Sequence, residues 1–333
     1  MATSGQWWQG ARPRTLPAAL APVVVGTAVA WWEIHEVLAL GLSRDGGWFV
    51  FTGPGGPSMQ TLSELLASPV SLTGADFAVR AVLALVVALA LQVGVNYAND
   101  YSDGIRGTDD ARIGPVRLVG QGLAPPRSVK LAAFGSFGVA ALAGFALVLL
   151  TQAWWLLLVG AAAIVAAWFY TGGPSPYGYA GLGELFVFVF FGLVAVVGTT
   201  YVQTLSISKL AVAGGVACGA LSVGILLANN LRDIPTDTVS GKRTLAVRLG
   251  DARTRGAYVA SLALPFGIAL GLAPTVTWWA LLALAAFPLA LGPARLVRGG
   301  ALGRDLVPVL AGTGKLLLGY AVLLSTGLLI ASF

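Results

Sequence analysis

Charge is scarce in this chain. Only 10% of its 333 residues are Asp, Glu, Lys or Arg, whereas a soluble domain carries about 25%. That supply is too small to cover a water-facing surface of this size, so soluble, disordered and collagen-like classes are excluded. A single cysteine, Cys218, excludes a disulfide framework, and a single histidine, His35, argues against a histidine-built metal site. The opening residues MATSGQWWQGARPRT lack a small-residue cleavage site behind a short apolar core, so no removable signal peptide is expected. What the chain does have is apolar surface. It is 57% hydrophobic, with a mean hydropathy of +0.82, which places it in a bilayer. The net charge of +6 then reports membrane topology rather than nucleic-acid binding.

Charge-free stretches of about 20 residues mark spanning helices. Residues 15–32 and 81–99 hold one each, and 131–183 holds two, broken at Thr151-Gln152. Residues 185–208 and 210–231 hold one each, 256–294 holds two with a break near Ala273-Pro274, and 309–333 holds the last. The expected fold is therefore all-α, a polytopic bundle of nine transmembrane helices. With the N-terminus in the cytoplasm, sixteen Lys and Arg fall on cytoplasmic segments and three on outer ones. That bias orients the chain and leaves the C-terminus outside. A Gly-, Pro- and Trp-rich outer loop at about 33–74 carries no chemical signal. The expected organisation is a single membrane-embedded domain of two related halves, roughly 15–150 and 153–333.

The few acids are concentrated. One run is Asn96, Asn99, Asp100, Asp103, Asp109 and Asp110 at the cytoplasmic end of the second helix. The other is Asn229, Asn230, Asp233 and Asp237 at the same end of the sixth. Those helices lie four spans apart and run in the same direction, so both clusters face one membrane surface, as two related halves meeting at one site would. The pairs Asn96/Asp100, Asn99/Asp103 and Asp233/Asp237 are each four residues apart and share a helix face. Carboxylates this close need a cation among them, and hard oxygen ligands without His or Cys suit Mg²⁺. Bases follow each run: Arg112 and Arg117 after the first, with the amide Gln121 just beyond, and Lys242, Arg243 and Arg248 after the second. Carboxylates beside Lys and Arg are what a metal-bridged diphosphate requires. The bland alternative, solvated helix ends with topology-setting bases, does not explain two such runs on one side.

Asn99-Asp100-x-x-Asp103 after the second helix resembles the UbiA superfamily of intramembrane prenyltransferases. So does Asp233-x-x-x-Asp237 with Gly241-Lys242-x-Thr244-Leu245 downstream. A narrower resemblance is to its branch of 1,4-dihydroxy-2-naphthoate polyprenyltransferases of menaquinone biosynthesis. It is carried by Ala11-Arg12-Pro13-Arg14-Thr15-Leu16-Pro17, by the Asn99 to Pro115 run, and by Tyr170-Thr171-Gly172-Gly173-Pro174 continuing to Glu184. One position departs: the superfamily pattern has a third Asp four residues after Asp103, where this chain has Gly107, with Asp109 two residues on.

The resemblance implies transfer of a polyprenyl chain from its diphosphate to 1,4-dihydroxy-2-naphthoate at the cytoplasmic face of the inner membrane, with Mg²⁺ as cofactor. It implies Asp100, Asp103, Asp233 and Asp237, with Asp109 after them, as metal ligands, and either Asn99 or Asn96 as the amide ligand. Lys242 with Arg112, Arg117 and Arg243 would neutralise the diphosphate. Tyr170 is one of several tyrosines (with Tyr97, Tyr101, Tyr177 and Tyr179) whose faces would shield an allylic cation. Arg12, Arg14 and Gln121 are candidates for the acceptor's carboxylate. Glu184, the one acid opening the fifth helix, reads as an N-terminal carboxylate favoured by the helix dipole, or as a partner for a site arginine or the acceptor. Three rival readings remain: another acceptor within the superfamily, a cation-coupled transporter, and a phosphatidyl transferase. A transporter's site would lie nearer the midplane, and a phosphatidyl transferase would gather its acids in one run.

Overall fold

In hydrocarbon every backbone N–H and C=O must be satisfied within the protein, so long apolar runs become helices. The computed structural model describes residues 2–39, 74–107 and 116–333, and among these the regular structure is entirely helical. In chain order the helices are α1 (Ser4–Gly10), α2 (Pro17–Ala39), α3 (Gly74–Ile105), α4 (Pro126–Thr151), α5 (Leu156–Phe169) and α6 (Gly183–Thr204). They continue with α7 (Lys209–Val239), α8 (Leu245–Leu249), α9 (Asp251–Leu272), α10 (Trp278–Arg298) and α11 (Val307–Ala331).

Eight helices among the described residues are long and apolar enough to cross a membrane: α2, α3, α4, α6, α7, α9, α10 and the helix ending in α11. The stretch expected to supply a ninth span yields α5, a helix of 14 residues. At 1.5 Å per residue it is about 21 Å long, shorter than a hydrocarbon core of about 30 Å. Its end is set by Gly172-Gly173-Pro174, where Gly173 takes a left-handed φ of 74°. The expected breaks at Thr151-Gln152 and after Leu272 are where α4 and α9 end. The outer loop expected at 33–74 falls largely outside the described residues.

The bundle is built around α2, α7, α9 and α11. Val25, Leu221, Tyr258, Leu317 and Tyr320 are buried together there. The buried tyrosine hydroxyls there bond across helices: the Tyr320 hydroxyl donates to the Pro265 carbonyl at 2.8 Å, and Tyr258 pairs with Thr313 at 2.7 Å. Helix α6 carries a widened, π-type turn over Val189–Val194, a feature that often accompanies functional sites. Within it Gly192 lets α6 meet α7 backbone to backbone, because a Cβ there would lie 2.5 Å from the Gly215 carbonyl oxygen. Close approach through small residues is the usual means of packing helices in lipid. At the end of the bundle remote from the acidic motifs, buried Arg80 donates to the Val202 and Leu150 carbonyls at 2.9 and 3.0 Å. One guanidinium thus caps the last turns of both α6 and α4.

Candidate active site

Both acidic motifs lie on the last turns of long helices, α3 and α7. On α3, Asn96, Asn99, Asp100 and Asp103 are all buried. Two loops close over that helix end. The first, residues 116–124, is drawn down by Asp100, whose two carboxylate oxygens accept the backbone N–H groups of Leu118 (2.7 Å) and Val119 (3.0 Å). Leu118 is thereby fully buried, and its neighbour Arg117 comes to 3.6 Å from Asp103. The second loop joins α5 to α6. Arg106, at the end of α3, donates to the Thr171 and Gly173 carbonyls, and the Thr171 hydroxyl donates to Asn99 Oδ1 at 2.7 Å. The same loop delivers Tyr179, whose hydroxyl donates to Asp103 Oδ1.

The C-terminal end of α7 completes the site. Arg232 grips Asp233 with two hydrogen bonds of 2.7 and 2.8 Å and holds Asn229 Oδ1 with a third of 2.8 Å. Past the helix end, the Lys242 N–H donates to the Asp237 carbonyl at 2.8 Å, and the Arg243 N–H to the Tyr179 carbonyl at 2.9 Å. These bonds aim Lys242 inward. Its Nζ is 3.4 Å from Asp103 Oδ1 and lies 4.5 Å from the centre of the Tyr179 ring. Asp103, Arg117 and Lys242 are each at most 7% exposed, so this is a desolvated cluster in which one carboxylate joins bases from both halves of the chain. Deleting one partner of such a cluster typically costs about 3–5 kcal/mol, because the other charge is left buried.

Below this ionic mouth opens a cavity of about 590 Å³. Its wall changes character along each helix. On α3 it runs from Asp103 through Asn99, Asn96 and Gln92 to Ala88 and Ala84, and on α7 from Asp237 through Asn230 to Leu226 and Ser222. Farther from the mouth the lining is small or apolar, including Gly144, Gly160, Phe190, Gly198 and Val202. One side is an aromatic wall. Tyr170 meets Tyr177 edge-on at 5.5 Å, Tyr177 stacks on Phe186 at 4.0 Å, and Phe186 stacks on Phe190 at 6.0 Å. The Tyr177 hydroxyl donates to the Ala166 carbonyl at 2.8 Å. Burial pushes its phenol well above the usual range, so it stays neutral.

Of the residues expected from sequence, Asn99, Asp103, Arg117, Tyr170, Asp237 and Lys242 share this cavity wall. Asp100 and Asp233 do not line it; the first holds backbone amides and the second Arg232. Arg14, Gln121 and Arg243 are exposed and also lie off the wall. Asp109 and Arg112 fall outside the described residues. Between the two amides left open, both line the cavity, but Asn96 donates to the Ala11 carbonyl and the Thr15 hydroxyl at 2.9 and 3.1 Å, tying down the N-terminal segment.

The two N-terminal arginines expected as candidates are separated by the structure. Arg12, rather than Arg14, reaches the cavity wall, and it does so from a left-handed backbone with φ 55°. A non-glycine residue pays roughly 1–3 kcal/mol of strain there, a cost that tends to persist at functional positions. Phe186, Phe190 and Thr171 lie in an apolar run or a loop, where nothing distinguishes them from filler.

The donor set also bears on a metal. Among the described residues no three His, Cys, Asp or Glu side chains gather into a cage. The cavity instead presents the carboxylates of Asp103 and Asp237 and amides on both helices. Sparse hard oxygens suit Mg²⁺, which keeps waters and takes substrate phosphates as ligands, better than an ion needing a full protein shell.

Known proteins resemble this chain in sequence and in fold. Residues 65–304 match the UbiA prenyltransferase family. The chain is 51% identical over 322 residues to the 1,4-dihydroxy-2-naphthoate octaprenyltransferase of Mycobacterium tuberculosis, covering 97% of this chain and 96% of that one. It is 49% identical over 331 residues to the enzyme of the same name from Mycobacterium leprae, covering 99% and 98%. A UbiA homolog from Archaeoglobus fulgidus, solved bound to GPP and Mg²⁺, has the same fold. Its TM-score is 0.57 over 96% of this chain and 99% of that one, at 14% identity. A family match over most of the chain, and half-identity along nearly all of it, lead to one conclusion: this integral membrane protein belongs to the UbiA prenyltransferase family.

Proposed function

We propose that the protein transfers a polyprenyl chain from polyprenyl diphosphate to 1,4-dihydroxy-2-naphthoate, releasing diphosphate and CO₂ and giving demethylmenaquinol for menaquinone biosynthesis. One observation carries the reading: a mouth where Asp103 meets Lys242 and Arg117 opens directly onto a cavity that becomes apolar with depth. An amphiphile with an anionic head and an isoprenoid tail fits that gradient. Half-identity to relatives of this name supports the choice of acceptor.

In the reaction the bond between the prenyl carbon and the diphosphate oxygen breaks, and its electron pair leaves with diphosphate. The ring carbon bearing the carboxylate attacks the allylic carbon. The carbon–carboxylate bond then breaks, its electrons restore the aromatic ring, and CO₂ departs. Lys242 and Arg117 bind the diphosphate and stabilise charge as it develops on the leaving oxygen. Tyr170, Tyr177, Phe186 and Phe190 would wall the reacting carbon with aromatic rings, stabilising positive charge without a nucleophile to trap it. The apolar depth excludes water, and each methylene it takes from water is worth about 0.8 kcal/mol. A Mg²⁺ ion would be held by Asp103, Asp237 and the Asn99 amide, with Asp100 and Asp233 shaping the helix ends. When bound it adds Lewis-acid neutralisation of the diphosphate.

In the same reading the chain spans the inner membrane nine times, α5 being the ninth and short span. The N-terminus and the site are cytoplasmic, the C-terminus is outside, and two related halves make one domain. The sixteen-to-three distribution of bases supports that orientation. The test is reconstitution in liposomes with 1,4-dihydroxy-2-naphthoate, a polyprenyl diphosphate and Mg²⁺, following prenylated naphthoquinol by mass. Product that disappears with EDTA is expected. Diphosphate release without that product would change the acceptor, and neither from folded protein would reject the reading.

A further inference from the structure

Beneath the ionic mouth lies a second polar layer that the reaction above does not use. Glu184, the second residue of α6, is 6% exposed, and its Oε1 accepts a hydrogen bond of 2.8 Å from Nδ2 of Asn230 on α7. Its other oxygen, Oε2, is buried without a hydrogen-bond partner. Burying a carboxyl is expensive, and joining α6 to α7 does not require one, since Gly192 already brings the two backbones together.

What the carboxylate does is set the sense of an amide. A carboxylate only accepts hydrogen bonds, so it draws the NH₂ of Asn230 toward itself and turns the side-chain carbonyl the other way. Asn230 lines the cavity, and no described residue donates to that carbonyl. Seven residues separate Asn230 from Asp237, which places it about 10 Å deeper along α7, below the level of the diphosphate-binding bases. An aromatic ring packs beside Glu184. Gly183, the residue before Glu184, packs so closely on Tyr170 that a Cβ there would lie 3.2 Å from the ring.

We infer that Glu184 is a positioning residue that holds Asn230 with its amide carbonyl toward the cavity, where it accepts a hydrogen bond from a ring hydroxyl of the aromatic acceptor. The inference rests on the acceptor class in the proposed function. The chemistry suits the place: accepting a phenolic proton enriches the ring that must attack, and a neutral amide, unlike a carboxylate, does not compete for the allylic cation.

The experiment measures KM for acceptor and donor separately, with kcat and thermal midpoint, in wild type, Glu184→Leu, Glu184→Gln, Asn230→Leu and the Glu184→Leu/Asn230→Leu double variant. Loss of one oriented hydrogen bond raises the acceptor KM about tenfold in each Leu variant, with donor KM within about twofold. The double variant is no worse than the poorer single, because both remove the same bond. Glu184→Gln, which retains an accepting oxygen, recovers most of the loss. A fall in thermal midpoint with acceptor KM unchanged would overturn the inference by making the pair merely structural. A rise in donor KM or in the Mg²⁺ requirement would overturn it by assigning Asn230 to the diphosphate. Should Glu184→Leu not fold, Asn230→Leu decides alone: an unchanged acceptor KM overturns the inference. Failure of the wild type to prenylate the naphthoate, seen before any variant is made, rejects the acceptor assignment and this inference with it.

Discussion

The ends of α3 and α7 carry two acids each, and in both pairs the acids part company. On α3, Asp100 turns to the main chain of residues 118 and 119, while Asp103 faces the cavity among Lys242, Arg117 and Tyr179. On α7, Asp233 is clasped by Arg232 while Asp237 faces the cavity. The means differ: one helix end uses backbone amides to hold the acid that lies off the cavity, and the other uses an arginine one residue away. The result is the same, one carboxylate for the fold and one for the cavity. Two of the four acids thus line the cavity, where Lys242 and Arg117 lie beside Asp103.

The division can be broken at its strongest point first. Asp103→Asn or Asp237→Asn removes charge from the cavity without changing shape. Each is expected to lower kcat by at least about 100-fold, read as prenylated product over time. Next, Lys242→Met takes away a buried cation, and the donor KM should rise by roughly 10–100-fold, the range for charge-assisted hydrogen bonds. The acceptor KM should move little. Asp100→Ala removes two bonds to backbone amides and should destabilise the protein by about 3 kcal/mol, read as a lower thermal midpoint in detergent. The smallest effect lies deep in the cavity. A Cβ at Gly160 or Gly198 meets no atom within 4 Å, so Gly198→Leu should leave stability near wild type. It should raise KM severalfold for a long polyprenyl diphosphate and less for a short one, measured with donors of two lengths.

How much of this was legible beforehand follows from what a sequence encodes locally. The spans stood out because charge is nearly absent from them, and the helix ends α3 and α7 were marked by the only dense acid in the chain. Their meeting was inferred from helix direction and is seen in the contact of Lys242 with Asp103. The split between Asp100 and Asp103 was not legible. Three residues apart on a helix they nearly share a face, and what separates them is a loop returning from residues 116–124. Arg12 and Arg14 were equally indistinct, because only the left-handed turn at Arg12 sends one to the cavity and leaves the other exposed. Helix α5 fell short of the span expected for it because composition does not show where a Gly-Gly-Pro turn stops a helix.

The most direct test of the central claim measures kcat and thermal midpoint together for Asp100→Asn, Asp103→Asn, Asp233→Asn and Asp237→Asn in one lipid system. The account predicts that Asp237→Asn loses turnover with a midpoint close to wild type, whereas Asp103→Asn loses turnover and also some stability, because Lys242 and Arg117 are left without their buried carboxylate. It predicts that Asp100→Asn and Asp233→Asn lose stability first and keep more of their turnover. Equal loss of turnover in all four variants, with unchanged midpoints, would contradict it and return all four acids to the site.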